Sequence, residues 1–217
     1  AAAASPLVPS AVELRRASPG GPIQVGVLLE GSADGVPARA ERMAELLGSV
    51  SEETPEWWRG TRLAPEGATL IQLSFWVSAL RSVLDTVDVA AREHSVTPVV
   101  AGAAGAGMLS VGLGSGCDAE AAGRFIGALR RDLAHARGSV VVLTAPEPVR
   151  AALGEHGGMT GPIPSLRLMR AVRDQFDPEH RMSPGRFPEA TAGEPGQDSL
   201  PGRSGGSSPQ DSTAEGA

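Results

Sequence analysis

The arginine best placed for ligand chemistry in this sequence is Arg186, which follows the turn Ser183-Pro184-Gly185. Proline fixes its own backbone angle and glycine allows a sharp bend, so the turn is expected to be rigid and to present the next side chain. A guanidinium held in this way can bind a carboxylate or a phosphate through two parallel hydrogen bonds. The alternative is an arginine that pairs with an acidic surface group, and the residues alone leave both interpretations open.

A second candidate is the glycine-rich run at residues 102–116, which follows an apolar stretch as the phosphate loop of a dinucleotide-binding fold does. Such a loop requires a helix that begins among the glycines, because the helix N-terminus holds the pyrophosphate. Here the residues from Met108 to Leu113 alternate in polarity, which is typical of a strand. The run therefore predicts a β-hairpin with a small-residue turn at residues 104–106. A Rossmann-type NAD enzyme is the less favoured alternative.

The histidines and the cysteine give little support to metal or nucleophile chemistry. The four histidines, His94, His135, His156 and His180, lack the spacing of a metal-ligand pair. Cys117 is the only cysteine, which excludes an internal disulfide and a cysteine-ligated iron–sulfur cluster. The sequence therefore predicts no metal site, with His156 and His180 kept as functional candidates because they lie in predicted loops.

The composition limits the class of protein. The net charge is -6, and the arginines are interleaved with acidic residues, so the pattern argues against a nucleic-acid surface. No apolar run has the length of a transmembrane helix, and the first residues lack the charged region of a signal peptide. We expect a cytoplasmic protein whose first residue is the cut end of a longer chain.

Hydrophobic periodicity predicts alternating strands and helices. The run at residues 11–15 suggests an edge strand, whereas the nearly continuous apolar run at 23–30 suggests a strand inside the sheet. Phe75 and Trp76 end a predicted strand and must point to opposite faces, so one should fill the core and the other could line a pocket. The predicted helices are 36–47, 78–93, 118–136, 148–153 and 165–176, and the other predicted strands are 69–77, 96–103, 107–113 and 139–144.

This order of elements predicts an α+β fold, a ferredoxin-like sandwich with a mixed or antiparallel sheet and helices packed on one face. Residues 1–22 are expected to form an N-terminal linker or edge segment, and residues 23–187 a single domain. Residues 188–217 have almost nothing to bury and are expected to be a disordered tail.

The last predicted helix is amphipathic and is followed by a turn. Leu166, Met169, Val172 and Phe176 recur at spacings of three and four, which predicts an amphipathic helix with these residues on its apolar face. The helix should stop at Asp177-Pro178, because proline disfavours the helical conformation of the preceding residue.

The segment LMRAVRDQFDPEHRMSPGRF, residues 168–187, resembles the C-terminal end of FAD-linked oxidases of the vanillyl-alcohol-oxidase type. Within that family it is most similar to the FAD-binding subunit of glycolate oxidase. Weaker similarity comes from IQVGVLLEG followed by a helix, and the whole resemblance runs from about Ser5 to Phe187. It implies the C-terminal cap, or substrate, domain of a flavoprotein oxidoreductase that acts on 2-hydroxy acids such as glycolate.

The resemblance also implies FAD as the cofactor, held mainly by a FAD-binding domain in cis or trans, and an iron–sulfur subunit as a partner. The chain alone should then bind FAD weakly or not at all. The implied cofactor-binding residues are Ser183, Pro184, Gly185 and Arg186, and the implied substrate-pocket residues are Trp76, Gly105, Gly107 and His180.

Two positions depart from the pattern of the family. Ser183 stands where the family usually has Asn, and Ala103 and Ala104 stand where related members have a histidine. A non-catalytic α+β ligand-binding or regulatory module is the alternative function, and it is favoured if the chain is a complete gene product.

Overall fold

The structure is a computed structural model, and it describes residues 2, 5–48, 50–51, 53–59, 68–154, 158–163 and 165–182. Within these residues the chain forms one six-stranded sheet and five α-helices. The strands are β1 (Ala11–Arg16), β2 (Ile23–Leu28), β3 (Thr69–Ser74), β4 (Val99–Gly102), β5 (Met108–Leu113) and β6 (Ser139–Thr144). The helices are α1 (Gly35–Leu47), α2 (Leu80–Glu93), α3 (Ala119–His135), α4 (Glu147–Leu153) and α5 (Leu166–Phe176).

The centre of the fold is a ferredoxin-like unit. In chain order it is β3-α2-β4-β5-α3-β6, and the four strands lie in the order β4-β5-β3-β6. Every recorded strand pair is antiparallel. The predicted α+β class is therefore confirmed.

The hairpin of β1 and β2 extends this sheet beyond β4. The strand β1 pairs with both β2 and β4, whereas β2 is the outermost strand of the complete order β2-β1-β4-β5-β3-β6. The expectation of β1 at the edge and β2 inside was therefore wrong. Ile23 and Val25 of β2 are about half exposed, because the apolar run in β2 lies at the edge of the sheet.

One face of the sheet packs against α2 and α3, as predicted. Directly paired residues of neighbouring antiparallel strands point to the same face. One such row crosses five strands and is buried along its whole length. It consists of Arg16, Val100, Val111, Ile71 and Val142.

The start of α3 shows how local sequence signals place a helix. The side chain of Asp118 accepts a hydrogen bond of 2.8 Å from the backbone N–H of Ala121, so Asp118 is the N-cap of α3, where the predicted helix begins. From there α3 buries Phe125, Ile126 and Leu129 against the sheet and its neighbouring helices.

The edge of the sheet at β6 is held by a buried arginine. Arg130 of α3 donates hydrogen bonds to the carbonyl oxygens of Val140, Gly158 and Met159. The N–H of Val142 also donates to Met159, so this segment lies along the outer side of β6. Burial lowers the pKa of Arg130 to about 10, which leaves the guanidinium charged at neutral pH.

The helix α5 lies at the predicted position, and most of its apolar residues are exposed. Leu166 is buried, whereas Met169, Val172 and Phe176 are 38%, 50% and 80% exposed. Together with Leu168 these three lie within an arc of about 100° on the helix surface. The apolar side of α5 therefore points away from the domain, and Leu166 in the first turn is the one buried residue of the helix.

Candidate functional site

The face of the sheet that points away from α2 and α3 carries polar side chains among aliphatic ones, and we call it the polar face. Its central row is set by direct strand pairing and carries an arginine, a serine and a glutamine among small and aliphatic residues. The row also includes Gln24 of β2, which pairs with Arg15 and is exposed, whereas its other members are half-buried. These other members are Arg15, Ala101, Ser110, Gln72 and Val141.

Arg15 is the charged group of this row. Within the residues that the structure describes, it makes no hydrogen bond and no ion pair. Most other buried or half-buried arginines of the described helices and strands donate hydrogen bonds to other groups, and these are Arg16, Arg39, Arg130 and Arg173. Besides Arg15, the exception is Arg170 of α5. A half-buried guanidinium without a partner retains its capacity to bind an anion with several donors.

Ser110 and Gln72 add neutral hydrogen-bonding groups to the polar face. A serine hydroxyl and a glutamine amide can each donate and accept. The Nε2 atom of Gln72 lies 3.9 Å from Sδ of Met108, which is a weak contact. Both side chains therefore retain hydrogen-bonding capacity toward a hydroxylated ligand.

Glu13 supplies a carboxylate to the same face. It lies two residues before Arg15 on β1, at a distance of about 7 Å along the strand, and is half-buried. No ion pair joins the two side chains. The polar face therefore has one cationic and one anionic group at separate positions.

Two tryptophans border the polar face at β2. The 3₁₀ turn Glu56–Arg59 brings the rings of Trp57 and Trp58 together, with 5.8 Å between the ring centroids. A Cβ atom at Gly26 would lie 2.4 Å from the ring of Trp58, so the absence of a side chain there allows the ring to lie on β2. The indole Nε1 of Trp57 is buried and has no hydrogen-bond partner among the described residues.

The turn of the β4–β5 hairpin lies at one end of the sheet, beside the polar face. Gly107 has a φ of +68°, and its carbonyl accepts a hydrogen bond of 2.9 Å from the N–H of Phe75. A Cβ atom at Gly107 would approach the carbonyl oxygen of Phe75 to 2.1 Å. Glycine is therefore required at this position for the hairpin to pack against the end of β3. Residues 102–116 form the predicted β-hairpin and not the alternative, a dinucleotide-binding loop.

Trp76 follows β3 instead of belonging to it, because the strand ends at Ser74. Phe75 is buried in the core, whereas Trp76 is 68% exposed. The short 3₁₀ turns that begin after Trp76 and at Ala104 are in contact. The structure therefore brings three predicted pocket residues, Trp76, Gly105 and Gly107, to one end of the sheet.

His180 lies in a different environment, in the turn after α5. Its Nε2 atom is 2.9 Å from Oδ1 of Asp174, and the ring is about half exposed. The carboxylate of Asp177 closes this turn by accepting hydrogen bonds from the N–H groups of Met182 and Arg181. These two hydrogen bonds, with that of Met182 the stronger influence, lower the pKa of Asp177, although partial burial opposes them.

Four predicted cofactor-binding residues lie outside the described residues: Ser183, Pro184, Gly185 and Arg186. The same holds for His156 and for the predicted tail at residues 188–217. The predictions that concern them stay predictions.

The remaining titratable groups offer no second centre in the part of the chain that is described. No group of three or more His, Cys, Asp or Glu side chains there is arranged to hold a metal ion. Burial and, to a smaller degree, the nearby charge of Asp118 raise the pKa of the Cys117 thiol. The thiol is therefore protonated at neutral pH and is a poor nucleophile.

Sequence reasoning missed Arg15 as a site residue. The available signal was the alternation in AVELRR, which places Glu13 and Arg15 on one face of a strand and Leu14 on the other. That signal could not say which face the helices would cover.

Comparison with protein-family models finds no model that matches the chain, and comparison with curated proteins finds no match. In the described part of the chain, no helix combines the length and apolar character needed to cross a membrane. The basis for a function is therefore the polar face together with the residue pattern at the C-terminal end.

Proposed function

We propose that this chain is the cap, or substrate, domain of a FAD-dependent oxidoreductase that acts on 2-hydroxy acids, as glycolate oxidase does. FAD would be held mainly by a FAD-binding domain in cis or trans. An iron–sulfur subunit is a proposed partner, and the cytoplasm is the proposed location.

The observation that supports this proposal most directly is the polar face. It combines an arginine without a described partner, two neutral hydrogen-bonding side chains and aromatic rings at its borders. Sites for small polar ligands generally combine a few convergent polar groups with apolar and aromatic walls. A one-sided α+β sheet can supply such a surface to a second domain that faces it.

The fit of FAD to this chain is partial. The glycine run forms a hairpin and not the loop-to-helix cradle that binds a pyrophosphate. The ring of Trp76, which is 68% exposed, offers a flat apolar surface. The chain is therefore suited to cover the reactive part of the cofactor, while its phosphates need another domain.

When bound, FAD supplies the hydride acceptor for oxidation of the alcohol carbon. The part of this chain would be to bind the acid, to orient its hydroxyl and to exclude water from the reacting carbon. Arg15, Ser110 and Gln72 have the charge and hydrogen-bonding groups for the first two tasks.

The proposal is tested by adding FAD to the purified chain and to the chain reconstituted with the FAD-binding domain of the same protein or of its partner subunit. We expect little FAD binding by the chain alone, and anaerobic bleaching of the flavin by glycolate or another short 2-hydroxy acid after reconstitution. Tight binding of one FAD per isolated chain would contradict the proposal that another domain holds the cofactor. A reconstituted flavin that no 2-hydroxy acid reduces would contradict the function.

A non-catalytic ligand-binding module is the second candidate, since an unpartnered Arg15 can bind a carboxylate without any flavin. It predicts that short carboxylic acids bind to the isolated chain and that no flavin-binding domain associates with it. Co-purification with a flavin-binding domain from the native source separates the two candidates.

A further inference from the structure

We infer that Arg15 binds the carboxylate of the substrate, and that Ser110 and Gln72 hydrogen-bond the rest of a small hydroxy acid lying along the central row of the polar face. This inference rests on the proposed function and deepens it by naming the residue that recognises the acid.

The first reason is that the guanidinium of Arg15 is half-buried without an interaction partner among the described residues. A charge that is partly removed from water loses hydration, and this cost is normally offset by an ion pair or by hydrogen bonds. Arg16 illustrates the normal case, because it pairs with Asp88 at 2.8 Å and also donates to the carbonyl of Leu84. Arg15 has no such partner in the described residues, so a bound carboxylate would supply the missing interaction.

The second reason is the spacing of the row. Neighbouring strands lie about 4.8 Å apart, so Ser110 is about 10 Å from Arg15 and Gln72 is about 14 Å from it. Ala101 stands between Arg15 and Ser110 and has only a methyl group. The extended arginine can therefore lie over Ala101 and meet a molecule of a few heavy atoms that also reaches Ser110.

The third reason concerns the charge of the ligand. The polar face has one arginine, and Glu13 lies on the same side of the same strand. A phosphate or a nucleotide carries more negative charge than one guanidinium can neutralise, and Glu13 would repel it. The arrangement favours an anion with a single charge, which is the state of a short 2-hydroxy acid at neutral pH.

The test is an NMR titration of the intact chain with glycolate, with acetate and with the uncharged methyl ester of glycolate. We expect the amide signals of Ala101, Ser110 and Gln72 to shift with glycolate and acetate but not with the ester. Arg15→Gln should weaken glycolate binding by about tenfold or more. Arg15→Lys should recover part of it, because the charge remains and the two-pronged geometry is lost.

Arg131→Gln is the matched control, since Arg131 is exposed on α3. It should bind glycolate as the wild type does. The thermal midpoints of the variants establish that each one is folded. Equal glycolate affinity of the wild type and Arg15→Gln, or shifts confined to another surface, would overturn the inference.

The two proposals fail in different ways. If glycolate binds through Arg15 but the reconstituted flavin is never reduced, the oxidoreductase function fails and the carboxylate site stands. If the reconstituted flavin is reduced and Arg15→Gln leaves KM for glycolate unchanged, the function stands and the assignment of Arg15 fails.

Discussion

Arg15 and Arg16 are adjacent in the sequence and have opposite surroundings. Successive residues of a strand point to opposite faces, so Arg16 meets Asp88 of α2 while Arg15 points to the polar face. Arg16 is 5% exposed, and its charge is paired with the carboxylate of Asp88 inside the protein. At this scale the identity of the side chain says little, and its place in the strand decides whether it has a structural or a binding role.

Asp177 gives a prediction on pH dependence. Its pKa is lowered in the folded chain, so its contribution to stability is complete above its unfolded pKa of about 3.9 and is lost as pH falls through the lower folded value. We expect the turn after α5 to loosen only below about pH 4. Amide shifts of Arg181 and Met182, followed by NMR against pH, measure this transition.

The variant Asp177→Asn is the control for that titration. An amide does not titrate in this range, so the pH-dependent shift of the Met182 amide should disappear in the variant. A midpoint at or above about pH 4 in the wild type would contradict the assigned hydrogen bonds.

The elements of this protein differ in how firmly the tertiary structure holds them. The β4–β5 hairpin packs closely against the end of β3 through Gly107, whereas α5 has one buried residue, Leu166 in its first turn. A small change should therefore have a large effect in the hairpin and a small effect on most of α5.

Replacing Gly107 by alanine should destabilise the protein by about 2–4 kcal/mol. The new Cβ atom would overlap the carbonyl oxygen of Phe75, and the positive φ disfavours any residue with a side chain. Chemical denaturation measures the change in the free energy of unfolding. Gly114→Ala is the control, because its Cβ would meet nothing within 4 Å, and it should change that free energy by less than about 1 kcal/mol.

A pair of substitutions tests the orientation of α5. Phe176→Ser should change the free energy of unfolding by no more than about 0.5 kcal/mol, because Phe176 is 80% exposed. Leu166→Ala should cost about 2–3 kcal/mol, because it removes buried methyl groups. If thermal or chemical denaturation ranks these two variants in the opposite order, the apolar side of α5 packs inward after all.

At the scale of the whole molecule, the β1–β2 hairpin and the ferredoxin-like unit form one sheet, and a buried ion pair ties them together. Asp88 accepts hydrogen bonds from Nη1 of Arg16 and from the N–H of Gly20, and its Oδ1 lies 2.8 Å from Nη2 of Arg16. The bond joins β1 of the hairpin to α2 of the unit, across 72 residues of sequence.

Asp88→Ala should destabilise the chain by about 3 kcal/mol, since it leaves the buried guanidinium of Arg16 without its counterion. Asp85→Ala is the control on the same helix, where the side chain is exposed, and its effect should stay within about 0.5 kcal/mol. The readout is the free energy of unfolding from denaturant titration. Equal effects of the two variants would show that the ion pair contributes nothing to holding β1 in place.

Much of the local structure could be predicted from the sequence. The N-cap at Asp118, the end of α5 at Asp177-Pro178 and the hairpin in the glycine run each depend on a few neighbouring residues. Such signals act over one or two turns of chain, so reading them requires no knowledge of the fold.

The residues singled out from the sequence differ from those of the polar face. The sequence singled out Trp76, Gly105 and Gly107, and the structure places them together at one end of the sheet. It did not single out Arg15, and it could not say whether Phe75 or Trp76 would be exposed. Both questions depend on which face of the sheet the helices cover.

The sequence by itself determined where each strand and helix lies along the chain, because hydrophobic periodicity and capping are local. Only the tertiary structure decided that β2 and not β1 is the outer strand, that Arg15 points away from α2, and that the apolar side of α5 is exposed. The physical reason is that strand order and the choice of buried face are set by pairing and packing between residues far apart in the sequence, and a local pattern fits more than one such arrangement.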